Sequence, residues 1–404
     1  MTSPAARPRP QGRIALPGLA AEPRFVFAAA RMVGEGGDPA QLREAAGGVR
    51  DWDIALRGLR RHGLIALAAP LLKRERVIPG DFLAVLEAQQ GDHAVAALMR
   101  IREASRIVRA LEAAGIRYLV IKGLALSIQL YGDPALRGGR DIDIWIEPGR
   151  MADAETILGQ LGYVLPVNAL PKGPEGLAPP KESGWVHAES RMLVELHDRL
   201  TDNPALLPWA FEEIWEERET VTIAGHAVPT MPRRRLPLYL AVHGVRHGWQ
   251  RLMWLEDLAA VLDARDGFDR AMADAAKQGL EGMMLHVCWA LHHWLARPVP
   301  GDLLARAAWR IDTRLINLFA ARFHGGRYWY EDAPRHSLSR FLAGSLWSRG
   351  ITYAMRPSAR FWRRQLAWDL DSPHDRALFG LSPRAAWLYP LLRPAGWIIR
   401  RLRR

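Results

Sequence analysis

Apolar positions follow two periods along this chain, and the change from one to the other divides it. From Asp38 to Ala114 the spacing is helical, with Trp52, Leu56 and Leu59 falling near i, i+4 and i+7 within residues 51–62. Asp81 stands before Phe82, Leu83, Val85 and Leu86 as a helix cap, and a longer helix over about 93–114 is closed by Gly115. The period then shortens. Residues 117–123 read as an apolar strand ending on a glycine, residues 124–131 are mostly helix formers, and Asp141-Ile-Asp-Ile-Trp-Ile146 alternates in the manner of a half-buried strand. A helix over 151–161 stops at Gly162, and the Pro-, Gly- and Ala-rich stretch 166–180 reads as a mobile surface loop near the site. Strands follow around Trp185 and over 192–197, then a hairpin over 220–228 that turns at Ala224-Gly225. After Pro232 helical spacing returns, with an apolar stripe of Trp254, Leu255, Leu258, Val261 and Leu262. The expected organisation is a disordered tail (1–37), a helical N-terminal lobe (38–115), an α+β catalytic core (116–231), a helical domain (232–345) and a basic aromatic C-terminal segment packed on the protein (346–404).

Composition adds boundaries to this picture. At 404 residues, 49% hydrophobic and 24% charged, the chain is long enough for two or three cores of ordinary globular character. Its one cysteine, Cys288, excludes an intramolecular disulfide and any cysteine-based metal cluster. The first residues lack the apolar centre of a secretory signal, and no run of 18 apolar residues occurs, so a cytoplasmic protein without a spanning helix is expected. The net charge of +12 changes meaning once it is located. Residues 321–404 hold 16 arginines against five acids, so the region carrying the candidate chemistry is not a basic groove and no nucleic-acid partner is expected. Basic residues flanking Trp387 and Trp397 fit peripheral contact with an anionic membrane, although Pro390 and Pro394 argue against one continuous amphipathic helix there.

The chemistry concentrates between 119 and 197. Asp141 and Asp143, two residues apart on a strand, share one face about 6–7 Å apart and repel each other. A divalent cation is the usual remedy, and oxygen-only ligands suit Mg²⁺ or Mn²⁺ rather than Zn²⁺. A solvent-facing edge strand is the structural alternative. Upstream, Lys122-Gly123 closes a strand and opens a helix, where backbone N–H groups and a lysine can meet a phosphate; a plain strand-to-helix turn is the alternative. Arg140 adds a guanidinium suited to bidentate phosphate contact. Within Met192-Leu-Val-Glu-Leu-His197, Glu195 and His197 fall on one face, making Glu195 the candidate third carboxylate. His197 either contacts phosphate, positions Glu195, or is a hydrogen-bonded half-buried histidine; His187, expected on a neighbouring antiparallel strand, carries the same alternatives. His243 and His247 stand four apart on one helix face; Gly244 occupies the place where a zinc protease needs glutamate, so phosphate or acceptor binding and packing stand ahead of a metal site here.

These residues resemble the DNA polymerase β-like nucleotidyltransferase superfamily and, more narrowly, a bacterial family of uncharacterised nucleotidyltransferases. The matching elements are Lys122-Gly123, Arg137 with Asp141-Ile-Asp143, Glu195-Leu-His197, the run from Leu238 to His243, Arg246-His247-Gly-Trp249, the run from Leu252 to Asp257, and Tyr389-Pro-Leu-Leu-Arg-Pro394. The resemblance spans roughly residues 40–404. It implies a polymerase β-like core, a small mixed sheet with helices, flanked by N- and C-terminal helical regions. It also implies an enzyme that moves a nucleotidyl group from an NTP to a hydroxyl acceptor and releases pyrophosphate. In that scheme Asp141 and Asp143 hold Mg²⁺ or Mn²⁺ on the triphosphate, Glu195 joins them at a second ion, and Lys122, Gly123, Arg140 and His197 bind the nucleotide. One departure is plain: Leu124 follows Gly123 where the superfamily has glycine or serine, leaving that phosphate contact to Lys122, Ser127 or backbone. The acceptor is open among a sugar, a peptide or protein side chain and a small metabolite. Two rival readings are a metal-dependent glycosyltransferase using a sugar nucleotide, which has no need of Glu195, and a non-catalytic nucleotide- or partner-binding module.

Overall fold

The computed structural model describes residues 19–34, 37–166, 181–262, 264–325, 338–370 and 373–402, so the expected loop at 166–180, apart from its first residue, and the first part of the expected tail lie outside them. The chain divides into two compact units, each assembled from separated stretches: one from residues 1–101, 124–139 and 232–356, the other from 102–123, 140–231 and 357–404. Among the described residues no helix is long and apolar enough to cross a membrane.

The second unit holds a seven-stranded mixed sheet, so the architecture is α+β. Its strands are β1 (Tyr118–Val120), β2 (Asp141–Ile146), β3 (Tyr163–Val164), β4 (Glu182–His187), β5 (Leu193–His197), β6 (Glu219–Ile223) and β7 (His226–Thr230), in the spatial order β3-β4-β5-β2-β1-β7-β6. β2 lies between β1, antiparallel to it, and β5, parallel to it. Alternation predicted a half-buried β2, yet five of its six residues are buried. Ile142, Ile144 and Ile146 fill one face of the strand; on the other, Trp145 meets Phe211 edge-on at 5.3 Å between ring centres. Its acids therefore alternate because their face meets a polar cluster, in which Asp143 is buried and Asp141 half-buried.

Local signals account for the turns that set this sheet up. The helices expected over 81–86 and 93–114 are one helix, Gly80–Ala113. It ends where Gly115 takes φ +65° and donates to the Glu112 carbonyl while Ile116 donates to the Leu111 carbonyl, and the chain turns directly into β1. β6 and β7 are joined by Ala224 and Gly225, both with positive φ, in the two-residue turn whose twist matches a hairpin. In the C-terminal stretch, the helix Tyr389–Leu402 is continuous although Pro390 and Pro394 argued against it. Pro390 falls in the first turn, where the missing N–H has no helical partner anyway, and Pro394 forfeits a single interior hydrogen bond. Arg393 holds the helix in place by reaching the Asp375 carboxylate at 2.7 Å and the Asp369 carbonyl at 3.0 Å.

The first unit is helical among its described residues. A helix at Ala21–Met32 corrects the expectation of disorder through residue 37. Its apolar residues are contiguous rather than spaced, which hid the period, yet Phe25 and Phe27 are fully buried and Phe25 packs edge-on against Trp52. Deeper in the unit, Arg137 Nε sits 2.8 Å from Asp257 Oδ2, and the Tyr131 hydroxyl donates to Asp257 Oδ1 at 2.9 Å. Asp257 is wholly buried and Arg137 nearly so. Arg137 and Asp257, far apart in sequence, are thus the two halves of one buried ion pair. Arg137→Met is expected to destabilise the protein by about 3–5 kcal/mol, because it strands a buried carboxylate. Urea unfolding measures this, and a loss under 1 kcal/mol would mean that Asp257 finds another donor.

Candidate metal and phosphate site

The parallel register of β2 and β5 sets Asp143 directly opposite Glu195 and Asp141 opposite Leu193. Antiparallel β4 then sets Glu182 opposite His197 and Gly184 opposite Glu195. Three strands therefore bring Asp143, Glu195, His197 and Glu182 together. One ligand atom from each of Asp143, Glu195 and His197 lies within 4.8 Å of the others, a group able to hold a metal ion.

Asp143 is the centre of this cluster and is almost fully buried. Its Oδ1 receives Lys122 Nζ at 2.6 Å and lies 2.9 Å from His197 Nε2. Burial alone would raise its carboxyl; the Lys122 charge and the His197 hydrogen bond outweigh that and hold it far below the ordinary carboxylate range. Glu195 behaves in the opposite way. Burial first, then the charges of Asp143, Glu182 and Asp141, push it up to about 8, with Lys122 only partly offsetting them. His197 is held below its ordinary value by burial and by Lys122, so its ring is neutral near pH 7. With the Nε2 proton given to Asp143, Nδ1 is left as an acceptor, 3.4 Å from Glu182 Oε2 and without a hydrogen bond. Lys122 meets Asp143 and Lys181 meets Glu182, which leaves Glu195 among like charges. A divalent cation meets that imbalance, and the donor set of carboxylates beside one imidazole fits it.

The strand-to-helix turn at 122–123 is built for close approach. Gly123 has φ +54°, and a Cβ there would stand 3.2 Å from the Asp141 carbonyl oxygen, so both the backbone angle and the space call for glycine. It opens the helix Gly123–Tyr131. Lys122, expected on phosphate, has its ammonium on Asp143. Arg140 is exposed immediately before β2. Ser127, the alternative phosphate contact, is fully buried; it donates to the Asp133 carbonyl at 2.6 Å and accepts from the Arg137 amide at 3.0 Å, so it serves the local turn.

Other expectations resolve by packing. His187 does lie on β4, antiparallel to β5, but it accepts from the Ser190 amide and meets Tyr163 edge-on. His243 and His247 pack on each other and on Trp254, with ring centres 4.6–5.7 Å apart, and among the described residues they join no metal-ligating group. Gly244 stands between them for steric reasons: a Cβ there would come within 2.1 Å of the buried Trp249 ring. Glu182 is the acid that no sequence signal marked. It starts β4 beside the Pro- and Gly-rich stretch, and only its pairing with β5 brings it to the cluster.

Acids from neighbouring parallel strands, joined by a histidine, form a group able to hold a metal ion, with a lysine and a glycine-opened helix nearby. Residues 49–296 match the model of an uncharacterised nucleotidyltransferase family, and the chain belongs to that family. Among curated proteins, none matches the chain.

Proposed function

We propose that this protein is a divalent-metal-dependent nucleotidyltransferase that moves a nucleotidyl group from an NTP to an acceptor hydroxyl. The new bond joins the acceptor oxygen to the α-phosphorus, the bond to the bridging oxygen breaks, and pyrophosphate leaves with that oxygen. The observation that carries this reading is the register of Asp143 opposite Glu195, with Glu195 pushed up to about 8 by the charge around it.

Asp143 and Glu195, with Asp141 beside them on β2, would hold Mg²⁺ or Mn²⁺, which supplies positive charge to the triphosphate and lowers the pKa of an acceptor hydroxyl. The chain's own groups do the positioning. His197 donates Nε2–H to Asp143 Oδ1 and fixes the orientation of that carboxylate, as groups behind a ligand commonly do. Lys122 neutralises Asp143 and stands where phosphate charge would arrive, beside the helix N-terminus opened by Gly123. Arg140 adds an exposed guanidinium at the start of β2.

The test is pyrophosphate release from each of the four NTPs with Mg²⁺ or Mn²⁺, using host-cell extract as the acceptor source. Release by the wild type and none by an Asp141→Ala/Asp143→Ala double variant is expected, and the active nucleotide names the base. Equal release by both proteins would sink the reading. A signal only with sugar nucleotides, persisting in Glu195→Gln, would transfer it to glycosyl transfer.

A further inference from the structure

The helical unit contains a second place built for a small molecule. A cavity of about 220 Å³ lies among Val33, Leu262, Phe268 and Leu291, with Ala259 and Ala260 along one side. That is the liquid volume of about seven waters. Two charged side chains line it, Glu256 at 2% exposure and Arg297 at 7%. Arg297 Nη2 donates to Glu256 Oε2, so the pair is neutral as a whole. The bonding is incomplete on both sides: Glu256 Oε1 lacks a partner, and so do Arg297 Nε and Nη1.

Leaving three such atoms unmatched in a buried site is costly, about 1–3 kcal/mol for each polar group and more for charged ones. The chain nevertheless makes room for the guanidinium. Gly34 borders the cavity, and a Cβ on it would fall 1.8 Å from Arg297 Nη1, so any larger residue would displace the arginine. Tyr131 also lines the cavity, but its hydroxyl is given to Asp257.

We infer that this cavity binds a small uncharged molecule presenting an amide-type edge, a carbonyl acceptor next to an N–H donor, on a compact apolar or aromatic body. The unmatched atoms have almost no surface open to the cavity, so the two side chains would turn toward a ligand whose carbonyl accepts from Arg297 and whose N–H donates to Glu256, while its body lies against Phe268 and Leu291. Charge sets the class. Because Glu256 and Arg297 already neutralise each other, a ligand of net charge would bring an uncompensated charge into apolar surroundings. A zwitterion would have two charges to desolvate; an amide edge satisfies the same atoms without either. Carboxamides, lactams and pyrimidine bases share this edge. Nothing in the inference depends on nucleotidyl transfer.

The experiment uses the full-length protein with nicotinamide, δ-valerolactam and uracil as probes, and benzoate and benzylammonium as charged controls. Saturation-transfer NMR detects binding and titration gives Kd. At least one amide-edge probe is expected to bind with millimolar Kd, at least tenfold more tightly than either charged control. Ala260→Leu, one turn beyond Glu256 on the same helix, narrows the cavity while keeping both charged groups and should weaken that binding at least tenfold, with circular dichroism and thermal midpoint unchanged. If Ala260→Leu does not fold, Ala259→Leu replaces it on the same wall. The inference is overturned if no amide-edge probe binds the folded wild type in the millimolar range, which would leave ordered water as the partner of these atoms. Equal binding of a charged control, or undiminished binding by the narrowed variant, overturns it as well.

Discussion

Asp143→Asn is expected to abolish metal binding and to lower nucleotidyl transfer by about 10²–10³-fold or more, the scale seen when a principal electrostatic group is removed from an active site. Asp143 is the only acid of the cluster that is both deeply buried and firmly ionised, since Lys122 and His197 converge on one of its oxygens. Asparagine keeps an oxygen that can accept both donors, so geometry survives while charge is lost. The structural cost is expected to stay near 1–3 kcal/mol, that of weakened hydrogen bonds to charged groups. Lys122 retains 13% exposure and can turn its ammonium toward water. Mn²⁺ titration followed by electron paramagnetic resonance checks the first claim, pyrophosphate release the second, and urea unfolding the third. An Asn variant that binds Mn²⁺ as the wild type does would remove Asp143 from the ligand set.

Glu195→Gln is expected to make the metal-free protein more stable at pH 8 while removing its response to metal. The folded carboxyl titrates near 8 against an ordinary value of 4.5, so the folded state holds the proton more tightly than the unfolded chain. Its contribution to stability is therefore complete below about pH 4.5 and is lost as pH rises toward 8. Glutamine never ionises and escapes that loss. The gain at pH 8 is expected to be on the order of a few kcal/mol, since each tenfold difference in proton affinity between the two states corresponds to about 1.4 kcal/mol and the wild-type cluster can relax. Below pH 4 the two proteins should converge. Saturating Mg²⁺ should reverse the order at pH 8, because only the wild type gains from binding. Below pH 8, binding should also release close to one proton per site, readable as a dependence of calorimetric heat on buffer ionisation enthalpy. Urea midpoints in EDTA at pH 4 and pH 8 decide the main point. A variant less stable than wild type at pH 8 would show that Glu195 is already compensated without metal.

Both predictions rest on residues the sequence made visible in part. Asp-x-Asp on a strand and a later strand acid identify themselves by type and spacing, because the two-residue period fixes which face a side chain takes. Glu182 had no such mark. It reaches the cluster through antiparallel pairing across 15 residues, 182 to 197, and strand partnership is a nonlocal choice. The same holds for Arg137, which in sequence sits next to the acids of β2 and in the fold belongs to Asp257.

Composition and period by themselves determined the α+β class, the strand-turn-helix at Lys122-Gly123, the Ala224-Gly225 hairpin and the candidate acids, since each depends on neighbours within a few residues. Tertiary structure alone decided that β2 is a central buried strand, that Lys122 rests on Asp143, that Ser127 serves a turn, that residues 21–32 form a packed helix and that Glu256 and Arg297 face a cavity. Those outcomes turn on which distant surfaces meet, and the free energy of burying apolar area and pairing charge is released only when they do.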